Sequence, residues 1–252
     1  MQNKIRNFLD RVAQDNKVSI LFACESGSRA RGFPSKDSDY DIRIIYKHDI
    51  DWYLNLHEQS EVIEKEKDDL DLSGWELRKT LMLLAKSNTT IFEWMQSPII
   101  YKQVPDFLES LHKLAYYFFS PSEAVNHYQE LAKKFIAKID SSQTVLLKDY
   151  FYTLRVALAA NWIIKFQEIP PLQLVNLLEP LPEKIVQKIN ELKQFKADKK
   201  EGFTCYLEQD LTNLLISIYN DNEKLSENLP TGMGDMDRLS KFFRRIVKGE
   251  DL

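Results

Sequence analysis

The sequence predicts an α+β fold, with a mixed sheet and flanking helices in residues 1–103 and a helical domain in residues 104–252. Apolar runs of strand length, separated by polar turns, are confined to the first part. In the second part, apolar residues recur at helical spacing between capping signals and prolines. With 252 residues, of which 44% are apolar and 29% charged, the chain can form one large domain or two small ones.

The first part alternates helix and strand. Its opening segment is an amphipathic helix, because its apolar residues recur at helical spacing: Ile5, Phe8, Leu9 and Val12. A buried strand follows in "KVSILFACE", and "YDIRIIY" is predicted to be a second strand. A short helix in "DWYLNL" then precedes two further strand candidates, "SEVIEKE" and "DLDLS".

Helices dominate from about residue 73 onward. Ser73 with Glu76 forms a capping box before "WELRKTLMLLAK", and Thr90 with Glu93 repeats that pattern before "FEWMQ". Pro121, directly after a capping serine, marks the start of another helix. A long helix is predicted in "VLLKDYFYTLRVALAANWIIKF", and three later segments share helical spacing: "EKIVQKINELKQF", "TCYLEQDLTNLLISIY" and "MDRLSKFFRRIV".

Composition narrows the functional classes. A net charge of −4 argues against general coating of a polyanion, although it allows a local basic groove. The two cysteines, Cys24 and Cys205, lie far apart, which predicts neither a disulfide framework nor a zinc cluster and favours a reducing cytoplasm. No apolar run reaches the roughly 20 residues of a membrane span, so we expect no membrane association.

Acidic residues at strand starts predict a metal site. Asp39 and Asp41 are two residues apart, so in a strand both carboxylates lie on one face. Their repulsion is relieved by a cation, and hard oxygen ligands suit Mg²⁺, or Mn²⁺ in its place. The later strand offers a third carboxylate, and we favour Asp71 over Asp69 because it lies nearer the following helix. Such a cluster can hold two ions for in-line displacement at phosphorus.

The turn before these acids is suited to phosphate. Gly27 lacks a Cβ and permits close approach, while the Ser28 hydroxyl and the amides of Ser28, Arg29 and Ala30 can donate hydrogen bonds. Taken alone, this acidic segment is more typical of a solvated Asx-rich loop than of a metal site. The combination of strand, glycine turn, paired aspartates and a second aspartate-bearing strand favours the nucleotide site.

These motifs resemble a known family. "GSRARGFPSKDSDYDIRIIY" resembles the signature of the DNA-polymerase-beta-type nucleotidyltransferase superfamily, and "DLSGWELRK" and "KSNTTIFEWMQSPIIY" resemble its YcgL-like, RNA-ligase-associated (RlaP) branch. The resemblance implies a polymerase-beta-like catalytic domain and a helical domain that forms the other wall of the cleft. It also implies that Gly27 and Ser28 bind the nucleotide, that Asp39 and Asp41 bind metal, and that Asp71 activates the attacking hydroxyl.

Two further groups are candidate nucleotide ligands. The first is the turn Lys86, Ser87 and Asn88, whose lysine and amides can face phosphate, although a helix C-terminus explains Lys86 equally well. The second is a polar stripe on the long helix, formed by Lys148, Tyr152 and Arg155. The resemblance implies that such a lysine and tyrosine contact the triphosphate. A structural stripe paired with acidic neighbours is the alternative.

The sequence thus predicts a nucleotidyltransferase that moves a nucleoside monophosphate, expected to be AMP, from an NTP to a hydroxyl acceptor. RNA ends, a protein hydroxyl and a small alcohol all satisfy this chemistry, and neither the acceptor nor the oligomeric state can be read from the chain. Two alternatives remain: a catalytically idle nucleotide-binding regulator or antitoxin-like partner protein, and a structural scaffold whose acids are merely solvated.

Overall fold

The structure is a computed structural model that describes residues 1–57, 59–141, 144–232 and 234–250. Its strands are β1 (Ser19–Glu25), β2 (Tyr40–Lys47), β3 (Val62–Lys67), β4 (Leu70–Glu76), β5 (Ile100–Gln103), β6 (Val145–Leu146) and β7 (Thr204–Cys205). Its helices are α1 (Gln2–Asn16), α2 (Gly27–Arg31), α3 (Ile50–Tyr53), α4 (Leu77–Ala85), α5 (Thr89–Met95), α6 (Phe107–Phe118), α7 (Pro121–Ser141), α8 (Leu147–Phe166), α9 (Leu174–Leu177), α10 (Glu183–Ala197), α11 (Gln209–Leu225) and α12 (Met236–Lys248). All five strands of the mixed sheet lie in the early part of the chain, flanked by helices, and helices dominate the later part, so the predicted α+β class is confirmed.

The chain divides into two compact units. The first comprises Met1–Ala30, Asp39–Phe119 and Gly232–Leu252, and the second comprises Arg31–Ser38 and Ser120–Thr231. The sequence places a boundary at residue 103, whereas the first unit continues to Phe119 and takes up the chain again at Gly232. None of the helices in the described part of the chain is long and apolar enough to cross a membrane.

The first unit is built on a mixed five-stranded sheet with the order β3-β4-β2-β1-β5. Only β2 and β4 run parallel, and the other neighbours are antiparallel. In that parallel pair Asp41 lies opposite Asp71, and the register continues to Tyr46 opposite Glu76. Since parallel strands begin at the same edge, both aspartates lie at one end of the sheet.

A hydrophobic core holds this edge in place. The predicted apolar face of α1 is buried, and it joins a cluster with the apolar residues of the central strands: Ile20, Ala23, Ile42, Ile44, Tyr46, Leu70 and Leu72. Along β4 buried and half-buried positions alternate strictly, so Leu70 and Leu72 lie on the face opposite Asp71. A slip of one residue would bury Asp71 and expose Leu72, and this fixes the register of the acidic residues.

Two predicted capping boxes are wrong in detail. Ser73 lies within β4, which remains paired on both sides up to Glu76, and pairing on both sides outweighs the local helix signal. Glu76 is itself the N-cap of α4, and its Oε2 accepts a hydrogen bond from the Arg78 amide at 2.6 Å. The N-cap of α5 lies two residues earlier than predicted, because Asn88 takes this position in place of Thr90 and its side-chain oxygen accepts from the Thr90 amide at 3.0 Å.

The second unit is mainly helical. The long helix predicted over residues 145–166 forms as α8, preceded by the short strand β6 that pairs with β7. The segment Arg31–Ser38 also belongs to this unit. Its Phe33 ring stacks on the Phe151 ring, with 5.6 Å between the ring centroids. Lys196 anchors the same segment, since its Nζ donates to the Phe33 carbonyl at 2.9 Å and to Ser35 Oγ at 2.7 Å. Burial lowers the pKa of Lys196 to about 8.

Candidate active site

Two of the predicted acids converge at the edge of the sheet. Asp41 lies in β2 and Asp71 in β4, and the two are direct partners in the parallel pairing. An oxygen of each carboxylate, Asp41 Oδ1 and Asp71 Oδ2, lies 2.9 Å from the same nitrogen, Nη2 of Arg43. The side chains of Asp41 and Asp71 are 27% and 41% exposed, so the carboxylate pair is reachable from solvent.

Arg43 is fixed from both strands. Its Nη1 donates to the carbonyl of Ile42 at 3.0 Å and to the carbonyl of Asp71 at 3.1 Å. Its other end pairs with Asp41 and Asp71, so one guanidinium contacts backbone and carboxylate together. A planar group with several donors is suited to this arrangement, and a lysine would not reproduce it.

The glycine turn packs directly against the carboxylate pair. Gly27 opens α2 with a φ of +59°, a left-handed conformation that favours glycine. A Cβ at this position would lie 1.8 Å from Asp41 Oδ2. The preceding amide, that of Ser26, donates to the Asp41 carbonyl at 2.7 Å. Gly27 is therefore required both by its backbone conformation and by the closeness of the Asp41 carboxylate.

Asp39 stands at the entrance to the same strand. It lies just before β2 and is exposed. Its carbonyl accepts a hydrogen bond from Arg29 Nε at 3.1 Å, and the Arg29 guanidinium lies 4.1 Å from the centre of the Tyr40 ring. Arg29 thereby ties the predicted phosphate turn to the start of β2.

Asp69 and Asp71, the two candidates for the third carboxylate, have different partners. Asp69 precedes β4 and forms an ion pair with Lys4, whose Nζ lies 2.6 Å from Asp69 Oδ1. This lysine lowers the pKa of Asp69. Asp71, by contrast, shares Arg43 with Asp41. The structure thus brings Asp71, and not Asp69, together with Asp41 on Arg43.

A buried carboxyl group, that of Glu25, is hydrogen-bonded to the backbone of Asp41. Glu25, the last residue of β1, is fully buried. Its Oε1 accepts from the Asp41 amide at 2.9 Å, its Oε2 accepts a short hydrogen bond from the Tyr101 hydroxyl, and its carbonyl accepts from Ser97 Oγ at 2.6 Å. Burial raises the pKa of Glu25, although the hydrogen bonds from Tyr101 and from the Asp41 amide oppose this rise.

The carboxylate pair fits a divalent cation in its donor chemistry. Two hard oxygens converge on one point that a cationic nitrogen occupies, which is the arrangement Mg²⁺ and Mn²⁺ require of carboxylate ligands. Across residues 1–57, 59–141, 144–232 and 234–250, no group of three or more His, Cys, Asp or Glu side chains is arranged to hold a metal ion. A site that also includes Asp39 stays a prediction.

The turn at residues 86–88 joins two helices. Lys86 is the C-cap of α4, and Ser87 follows with a φ of +53°. Asn88 is occupied in capping α5 through its side-chain oxygen. Local helix termination and capping thus explain these residues, and their predicted contact with a nucleotide stays a prediction.

The predicted stripe on α8 separates into different environments. Lys148 is 52% exposed and forms an ion pair with Glu201 at 2.6 Å. The Tyr152 ring meets Phe135 edge-on, with centroids 5.3 Å apart. Arg155 is fully buried and donates from Nε to the Leu172 carbonyl at 2.9 Å. Only Lys148 presents a largely exposed side chain, and the buried Arg155 has a structural role in the second unit.

The sequence reasoning missed Arg43 and Glu25. A weak signal exists for each, because Arg43 follows Asp41 at the spacing that keeps two strand residues on one face, and Glu25 ends an otherwise apolar strand. Buried charged groups are rare unless they are paired. That rarity is the signal by which Glu25 can be selected from the sequence.

Three comparisons relate the chain to known proteins. The family described as "RNA repair pathway DNA polymerase beta family" (RlaP) matches residues 1–245. The protein YcgL of Bacillus subtilis (strain 168), described as uncharacterized, is 39% identical over 228 residues, which cover 90% of this chain and 87% of that protein. A nucleotidyltransferase-like protein from Exiguobacterium sibiricum 255-15 aligns over the whole chain and 81% of its own, with 14% identity and a TM-score of 0.32.

A mixed sheet that carries paired aspartates beside a glycine-opened turn is typical of the polymerase-beta-like nucleotidyltransferases, and the family match places the chain in that class. The match covers nearly all of the sequence, and the YcgL relative covers most of it. The chain belongs to the RNA repair pathway DNA polymerase beta family.

Proposed function

We propose that this protein transfers a nucleoside monophosphate from an NTP, with ATP as the expected donor, to a hydroxyl acceptor and releases pyrophosphate. The observation that carries the proposal is the convergence of Asp41 and Asp71 on one cation position beside the Gly27 turn. Two carboxylates at the edge of a sheet, next to a backbone that a phosphate can approach, are the parts that phosphoryl transfer requires.

Each residue has a chemical role in this proposal. The acceptor oxygen attacks the α-phosphorus, the bond from that phosphorus to the bridging oxygen of the pyrophosphate breaks, and Asp71 takes the acceptor's proton. Gly27, Ser28 and Arg29 hold the triphosphate. Asp39, Asp41 and Asp71 hold Mg²⁺ or Mn²⁺, which when bound neutralises charge on the phosphates and on the leaving group.

The supporting residues keep this geometry fixed. Glu25 accepts from the Asp41 amide and thereby holds the start of β2 in position. Residues outside this edge enter the proposal only through the family resemblance, namely Lys148 and Tyr152 on the triphosphate. Lys148 is the better supported of the two, because its ammonium is exposed and its acidic partner can be exchanged for phosphate.

RNA is the first acceptor to test. The family is described as belonging to an RNA repair pathway, and an RNA end supplies the hydroxyl that the chemistry needs. The net charge of −4 means that an RNA would be bound by a local surface rather than by the whole molecule. Protein hydroxyls and small alcohols are the comparison acceptors.

The test is a transfer assay with an NTP radiolabelled at the α-phosphate, Mg²⁺ or Mn²⁺, and an RNA oligonucleotide with free hydroxyl ends. Asp41→Asn and Asp71→Asn should each reduce transfer by at least about a hundredfold, because metal coordination supplies several kcal/mol of transition-state stabilisation. Asp39→Asn is expected to act in the same direction.

Asp69→Asn is the matched control. It removes the same charge two residues before Asp71, but it breaks only an exposed pair with Lys4, so transfer should persist. Equal activity in the wild type and in Asp41→Asn would refute the proposal. The alternative is a nucleotide-binding regulator. It would bind Mg-NTP in calorimetry but release no pyrophosphate with any class of acceptor.

A further inference from the structure

The Arg43 guanidinium occupies the space between the two carboxylates of the proposed metal site. Its Nη2 lies 2.9 Å from Asp41 Oδ1 and 2.9 Å from Asp71 Oδ2, and the Arg43 side chain is only 17% exposed. A guanidinium is charged at every pH that the protein experiences. The positive charge at this position is therefore permanent.

The same oxygens are those that a divalent cation would use. Two carboxylates that face each other repel, and a positive charge between them relieves that repulsion. One guanidinium and one metal ion on the same pair of oxygens would repel each other in turn. The Arg43 guanidinium and a bound metal are thus alternatives for one position.

The backbone contacts of Arg43 make an exchange possible without loss of the side chain's anchor. Nη1 donates to the carbonyls of Ile42 and Asp71 at 3.0 and 3.1 Å, and these bonds do not involve the carboxylates. Only the Nη2 contacts must break when another cation takes the oxygens. The exchange thus moves the Nη2 end of the guanidinium away from the carboxylates while Nη1 stays at the two carbonyls.

We infer that Arg43 is a built-in counter-cation of the site, which holds Asp41 and Asp71 in place while no metal is bound and is displaced from them when a divalent cation binds. This inference rests on the proposed function, since it takes the carboxylate pair as a metal site. It assigns Arg43 as a positioning residue that weakens metal binding in exchange for a preformed site.

A fixed structural role predicts a different outcome. If Arg43 were a permanent link between β2 and β4, removing it would loosen the carboxylates and weaken metal binding. If it competes with the metal, removing it frees both carboxylates and strengthens metal binding. The sign of the change in metal affinity separates the two.

The experiment measures Mn²⁺ binding to the full chain, by the electron paramagnetic resonance of free Mn²⁺ and by calorimetry, near neutral pH and without nucleotide. Arg43→Gln should bind Mn²⁺ about tenfold more tightly than the wild type, equivalent to about 1.4 kcal/mol. Lys4→Gln is the matched control, because it removes one positive charge beside Asp69 without contacting Asp41 or Asp71, and its affinity should change by less than about twofold.

A second variant keeps the test decisive if Arg43→Gln does not fold. Arg43→Lys retains the charge but has a single nitrogen, which cannot satisfy the two carbonyls and the two carboxylates together. It should give an affinity between those of the wild type and Arg43→Gln. Unchanged or weaker Mn²⁺ binding in the folded variants would overturn the inference.

The Asp41→Asn variant distinguishes failure of the inference from failure of the proposed function. If Asp41→Asn loses Mn²⁺ binding while Arg43→Gln binds like the wild type, the metal site stands and the role of Arg43 is refuted. If the wild type and Asp41→Asn bind Mn²⁺ equally, the carboxylate pair is not a metal site. In that case the metal part of the proposed function and the inference about Arg43 both fail.

Discussion

Gly27→Ala is the substitution that tests the site geometry most directly. The added Cβ would lie 1.8 Å from Asp41 Oδ2, so this oxygen must move by about 1.6 Å to reach the 3.4 Å at which ordinary contact begins. The carboxylate cannot make this move and keep its 2.9 Å hydrogen bond to Arg43. Gly27→Ala should therefore disturb the carboxylate pair even though no charged group is changed.

The loss of stability expected for Gly27→Ala has two parts. A non-glycine residue in the left-handed region costs about 1–2 kcal/mol, and Gly27 has a φ of +59°. Displacing Asp41 weakens a charge-assisted hydrogen bond, worth about 1.5–3 kcal/mol when fully formed. Because the Asp41 side chain is 27% exposed, water recovers part of this energy. We expect Gly27→Ala to lower the free energy of unfolding by about 2–4 kcal/mol.

Gly32→Ala is the matched control for the cost of placing alanine in a left-handed backbone conformation. Gly32 has a φ of +86°, but a Cβ there would meet no atom within 4 Å. Its substitution should cost only the backbone part, about 1–2 kcal/mol, and leave Asp41 undisturbed. The effect of alanine on the unfolded chain is common to both variants and cancels in their difference.

Urea denaturation and Mn²⁺ binding together check this reasoning. Gly27→Ala should be less stable than Gly32→Ala and should bind Mn²⁺ more weakly, while Gly32→Ala should bind like the wild type. Equal losses of stability in the two variants, with equal Mn²⁺ affinity, would show that the Gly27 turn does not set the position of Asp41.

Three further predictions concern buried and exposed side chains. Burial raises the pKa of Glu25 above 4.5, so its stabilising contribution is fully present below that pH and is lost as the pH rises through the folded-state pKa. Glu25→Gln, which stays neutral, should show a smaller fall in unfolding free energy from pH 4.5 to neutrality than the wild type in urea titrations, and parallel profiles would contradict this. Lys148→Ala should change stability by less than about 1 kcal/mol, because its pair with Glu201 is exposed, and should weaken Mg-NTP binding in calorimetry. Arg155→Leu should lower stability by about 1–3 kcal/mol, since the buried Leu172 carbonyl loses the donor Arg155, and equal stability of these two variants would refute this distinction.

The strands of the first unit were accessible to sequence reasoning because their signals are local. Alternation of apolar residues predicts β2 and β4, and both form where expected. β5 was missed, because Ile100–Gln103 follows α5 after a short turn and has too few residues for a pattern of its own. Its place in the sheet depends on pairing with β1, which is distant in the sequence. The same kind of long-range pairing extends β4 past the helix signal at Ser73.

The sequence predicts which site residues lie close together only where those residues belong to one strand. The spacing of Asp39 and Asp41 can be read from the chain, whereas the meeting of Asp41 with Asp71 depends on the register between β2 and β4. Arg155 shows the limit of spacing on a single helix. Its position on α8 groups it in one polar stripe with Lys148 and Tyr152, but the packing of the second unit buries Arg155 completely.

The alternation that brings the acids together also supplies their counter-charge. Asp41 and Arg43 are two residues apart in β2 and so lie on one face, and the parallel register then brings Asp71 against the same guanidinium. Two carboxylates balanced by one guanidinium leave a single net negative charge at the edge. In the proposed site, Arg43 therefore holds the two carboxylates together without a metal, and the remaining negative charge attracts a cation. Under the proposed role of Arg43, a strand with an acid and an arginine in alternate positions keeps a metal site preformed, and the metal affinity depends on how readily the arginine releases its carboxylates.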